Sequence, residues 1–224
     1  MSPGFFTNSA RLFAIAKQAY ERAKAEVSHE LSHESNEPLI AIIFSAAAVE
    51  AFINEIGVLA SHSTSEPASN QIQNIGSLLS EIEDARGTTN LKYMVGKFVL
   101  TGKAFDKGKN PYQNFALLIE LRNSIMHSKF DRIKSVRVND VQIDRPPIIK
   151  KLPKKILGNF GGDRNPIANW LDLVSTPATA KWACNAASEI IKDMVEAIEA
   201  IPDSYLQQLI NLYFNFNNTF SPIK

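Results

Sequence analysis

The first clear pattern is the stretch "NSARLFAIAKQAYERAKAEVSHELSHE" (residues 8–34), which places Leu12, Phe13, Ala16, Ala19, Tyr20 and Ala23 on one helical stripe. Asn8 or Ser9 is suited to cap it. Pro38 then fits the first turn of a second helix, "PLIAIIFSAAAVEAFINEIGVLASH". That helix is apolar nearly all round, which predicts that it runs through the centre of the fold. A Ser/Thr/Pro stretch (61–69) separates it from two further expected helices, "NQIQNIGSLLSEIEDA" and "TNLKYMVGKFVLTG". The turn "DKGKNPY" leads into an apolar helix, "FALLIELRNSIMHSKF", that starts at Phe115 and carries three polar groups near its end.

After Phe130 the period changes. In "RIKSVRVNDVQID", Ile133, Val136, Val138, Val141 and Ile143 fall among polar residues as in a short hairpin turning at "ND". The following "RPPIIKKLPKKILGNFGGDRNP" holds four prolines and three glycines and is expected to be irregular. Helix returns at about Thr176, with Thr176 as cap and Pro177 in the first turn, and ends at Pro202. A last helix is expected in "SYLQQLINLYFNFNN". The reading is an all-α antiparallel helical bundle, one domain over residues 1–224, with a loop or hairpin insertion at 131–170.

Composition narrows this reading. A chain of 224 residues with 45% hydrophobic and 21% charged residues can bury a substantial core. The single cysteine, Cys184, excludes an internal disulfide framework and fits a reducing compartment. The start "MSPGFFTNSARLF" lacks the basic and apolar regions of a signal peptide. The most apolar run, residues 39–49, is shorter than the about 20 residues a membrane span needs. A cytoplasmic protein with no membrane partner is expected.

Charge adds one feature. The net charge is +1, yet residues 129–164 hold ten basic and four acidic residues, so this segment carries +6 and the rest −5. Lys129, Arg132, Lys150, Lys151, Lys154 and Lys155 are candidate contacts to a polyanion such as RNA, because a local positive field attracts phosphates even when the total is near neutral. A solvated lysine-rich loop is the plainer explanation.

Two motifs carry candidate chemistry. "HELSH" (His29 to His33) matches H-E-x-x-H, in which histidines four apart on a helix bind zinc and the glutamate acts as base, with Glu50 or Glu55 available as a third ligand. It lies at a helix end, and no strand precedes it to align a peptide substrate. A solvent-facing last turn, where histidines favour the helix dipole, accounts for it better, and no metal site is expected. The second motif is "RNSIMH". Asn123 and His127 lie about 40° apart around a helix, and the long Arg122 side chain can swing toward that face. An imidazole that titrates near neutrality, a carboxamide and a permanent cation are equipment for splitting a phosphodiester without metal.

"LIELRNSIMHSKF" resembles the signature helix of HEPN proteins, whose mark is Arg, a polar residue and then His after four to six intervening positions. "FSAAAVEAFINEIG" is similar to the second helix of many HEPN domains, where an apolar run meets Glu-Ala-Phe and then Asn. The resemblance covers residues 8–130 and the helix 176–201. It implies a helical bundle that dimerises so that two R-x4-H motifs form one cleft. Many members are metal-independent endoribonucleases of toxin–antitoxin or antiviral systems; others bind nucleotides or partners without cleaving. Carried over, His127 is the general acid/base, Arg122 stabilises the phosphate and Asn123 orients them. The implied partners are RNA, a second copy and a possible cognate antitoxin protein, and no cofactor is implied. Glu50 matches a recurring acidic position, for which a buried helix-to-helix hydrogen bond is the favoured role.

Overall fold

The computed structural model describes residues 7–28, 35–61, 70–128, 132–137, 140–158, 169–201, 210–211 and 219–224. The described chain is helical apart from one hairpin. Helices α1 (Ser9–Ser28), α2 (Glu37–Ser61), α3 (Asn70–Asp84), α4 (Thr89–Thr101) and α5 (Tyr112–Met126) precede strands β1 (Arg132–Arg137) and β2 (Asp140–Asp144). Short α6 (Ile148–Lys151), a 3-10 turn (Lys154–Ile156), α7 (Trp170–Val174) and long α8 (Pro177–Glu199) follow.

Helix α2 is central, as its composition predicts. It packs against α1, α3, α4, α5 and α8, and Ile42, Ala46, Val49, Phe52, Ile53 and Ile56 are fully buried. It is long and apolar enough to cross a membrane by length and composition alone. Here its three carboxylates, Glu37, Glu50 and Glu55, each bond a neighbouring helix. Glu55 accepts from the backbone N–H of Asn8 (2.5 Å) and of Ser9 (3.1 Å), and from the Ser9 hydroxyl (2.5 Å). A carboxylate from α2 thus satisfies the N–H groups that the first turn of α1 leaves unpaired and lies at the positive end of its dipole. The capping expected of the Asn8 or Ser9 side chain is instead supplied by Glu55, to which the Ser9 hydroxyl itself donates.

Close helix approach has a visible cause where α2 meets α3. A Cβ on Gly76 would lie 2.7 Å from the Ser61 backbone nitrogen, and one on Gly57 would lie 3.1 Å from the Leu79 Cβ. At the other end of the chain, the Thr176 hydroxyl caps α8 at the Thr179 N–H, with Pro177 in the first turn, as expected.

Two expectations need correction. The hairpin pairs Ile133 with Ile143 and Val136 with Val141, but Asp140, expected in the turn, is already a strand residue opposite Arg137. The region after it is not simply irregular. Ile148, Leu152 and Ile156 recur every four residues and are buried, so α6 and the 3-10 turn dock on the bundle. Trp170, 1% exposed, anchors α7, whose Asn169 and Asp172 form a reciprocal capping box. The "HELSH" histidines, Lys129, and most of "SYLQQLINLYFNFNN" lie outside the described residues.

Candidate functional site

Helix α5 is held by aromatic packing. Phe115 is fully buried, its ring centroid 4.8 Å from that of Tyr93 and 5.7 Å from that of Tyr112. Leu118 and Leu121 continue the buried face toward the C-terminal end, where the motif begins. The helix stops at Met126, and the His127 N–H still donates to the Asn123 carbonyl (3.0 Å). Asn123 and His127 are exposed and joined through this backbone bond. Arg122 points elsewhere: one of its Nη atoms donates to Glu50 Oε2 on α2 at 2.8 Å. Its side chain is 26% exposed and that of Glu50 is 43% exposed. The helix-to-helix bond favoured for Glu50 forms, with Arg122 as the partner, but it is only partly buried rather than buried.

A lysine that no motif in the sequence marks completes this cluster. Lys92 on α4 is only 3% exposed, donates to Asn54 Oδ1 at 2.7 Å and pairs with Glu83. Burial lowers its pKa, and the Glu50 carboxylate works against that shift. Signs therefore alternate across four helices: Arg122 on α5, Glu50 on α2, Lys92 on α4 and Glu83 on α3. Glu50 and Asn54 stand one turn apart on α2, a spacing readable in "EAFIN". Nothing in the pattern around "NLKYMVG" marks its lysine as buried.

The basic segment reaches the same helix. Lys151 on α6 pairs with Glu120 of α5 at 2.6 Å, two residues before Arg122. Lys150, Lys154 and Lys155 are exposed, and Arg132 opens β1 opposite Asp144. Of the expected polyanion contacts, Lys151 is thus spent in part on a carboxylate of α5. Among the described residues no three His, Cys, Asp or Glu side chains gather as a metal-binding group. Glu50 and Glu55, the carboxylates available to "HELSH", are bound to Arg122 and to the start of α1.

No family model matches the chain, and neither the curated proteins nor the solved structures yield a match.

Proposed function

We propose that the chain is a metal-independent endoribonuclease of HEPN type, serving as a toxin or in antiviral defence and acting in the cytoplasm as a homodimer. The observation that carries this reading is the end of α5. The same helix end carries a guanidinium tethered through one Nη to Glu50, an exposed carboxamide and, one turn on, an exposed histidine. A guanidinium has five N–H donors, so the tether orients it and leaves donors for phosphoryl oxygens. His127 moves the proton and Asn123 orients the pair. One copy supplies a single cation on an open helix end; two copies about a two-fold axis supply two cations and two imidazoles in a groove that excludes water. The purified protein is expected to be a dimer by light scattering at about 10–50 micromolar, a range typical of specific association, and to cut RNA in EDTA. A monomer that leaves RNA whole contradicts the proposal.

The second reading is a non-catalytic interaction or nucleotide-binding module, for which the partner could be a cognate antitoxin protein. Met126, 59% exposed beside His127, favours it, since an exposed thioether next to a polar rim suits a protein contact.

The lysines supply the grip. Replacing Lys150, Lys151, Lys154 and Lys155 with Ser is expected to weaken RNA binding and to flatten its salt dependence by up to about 3.6 in log–log slope, because each lost phosphate contact removes about 0.7–0.9. Filter binding across a salt series reads both. The fold survives, because the four side chains are exposed while Ile148, Leu152 and Ile156 keep the segment anchored. An unchanged slope assigns the lysines to another role.

A further inference from the structure

Residues 219–224 are held as a bound peptide would be. Phe220 is fully buried, its ring 5.4 Å from that of Phe13 on α1 and 5.9 Å from that of Phe52 on α2. The backbone on either side is gripped by side chains. Lys17 donates to the Thr219 carbonyl (3.1 Å) and to the Ser221 hydroxyl (3.1 Å), and Ser188 donates to the Phe220 carbonyl (2.5 Å). The Asn185 carboxamide accepts from the Ile223 N–H (2.7 Å) and donates to the Ile223 carbonyl (3.2 Å). Lys181 reaches the Lys224 carbonyl at 2.7 Å.

Side chains that bond a backbone they do not belong to read conformation, and a pocket for one ring reads sequence. This is the division of labour in peptide recognition. Residues 221–224 have no regular structure. Pro222 fixes its own φ and biases Ser221 toward an extended form, which lowers the entropy lost when the segment docks. An open surface pocket of about 570 Å³ lies alongside the segment, between α1 (Lys17, Tyr20, Glu21) and Pro222–Lys224.

We propose that the channel between α1 and α8 is a peptide-binding site. Its ligand class is a non-helical segment with an aromatic residue, then proline and an aliphatic residue two and three positions later. The chain's own "FSPI" (220–223) is the occupant, and the site binds the same sequence when it is offered in trans. A second copy of this chain can therefore exchange its segment into the groove. The inference is independent of the ribonuclease reading.

The test uses full-length protein and the synthetic hexapeptide TFSPIK. In the wild type, hydrogen exchange at the Ile223 amide reports release of the segment, because that N–H is bonded to Asn185. Peptide that fills the vacated groove holds it open, so exchange is expected to rise in proportion to peptide, by about tenfold at ten times its dissociation constant. TASPIK, lacking the ring, is expected to leave exchange unchanged. In Phe220→Ala protein, labelled TFSPIK is expected to bind about tenfold or more tightly than to wild type, whose groove is filled. Adding Asn185→Ala is expected to weaken it again. If Ile223 exchange does not respond to TFSPIK up to about 1 mM, a weak-binding limit, or TASPIK acts equally, the proposal is overturned. That readout does not require the Phe220→Ala variant to fold.

Discussion

Arg122→Ala and His127→Ala are each expected to lower RNA cleavage by about 10²–10⁴-fold, the range for a lost proton-transfer group or a lost charge-stabilising donor. Helical content by circular dichroism should be unchanged in both. Removing Arg122 breaks its pair with Glu50, but that carboxylate is 43% exposed and borders Lys92, so it is not left as a buried charge. Exposed or half-exposed pairs contribute about 0–1 kcal/mol to stability. His127 lies past the last turn of α5, and only its backbone takes part in a described bond. A loss of cleavage in the folded variants therefore reports chemistry. Full activity in either variant removes that residue from the mechanism.

Phe115→Ala is expected to lower unfolding free energy by about 3–5 kcal/mol, read as a shift in the urea midpoint at constant slope. The ring is fully buried between Tyr93 and Tyr112, and its loss leaves a cavity that rings anchored on two helices cannot readily close. Because Phe115 seats α5 on the bundle, cleavage should fall along with stability, whereas Arg122→Ala should affect cleavage alone. A loss below about 1 kcal/mol would mean that the site collapses around the smaller side chain.

Much of the frame was legible because it rests on periodicity. An apolar α2 predicts a central helix, and Thr176 with Pro177 marks the start of α8. The insertion was harder to read. Pro146, Pro147 and Pro153 signal irregular chain, which hid the four-residue recurrence of Ile148, Leu152 and Ile156 that anchors it. At the candidate site, Arg122, Asn123 and His127 stand out because they interrupt an apolar helix. Lys92 interrupts one too, yet its fate depends on partners 38 residues before it and 9 residues before it (Asn54 and Glu83), and local spacing carries no trace of either. The same holds for Glu55, whose ligand is the first turn of α1, and for the residues that grip Phe220.

The proposed chemistry has the end of α5 move a proton and stabilise a phosphate without metal. Its most direct test is the chemistry of the cut ends. Wild-type protein in EDTA is incubated with an end-labelled RNA and with the same RNA carrying a 2′-methoxy group at the cut site. The expected result is cleavage of the first to a 2′,3′-cyclic phosphate and none of the second, because the proposed nucleophile is the ribose hydroxyl, which methylation blocks. Cutting that stops in EDTA, or that continues past a 2′-methoxy group at the same position, would contradict the account.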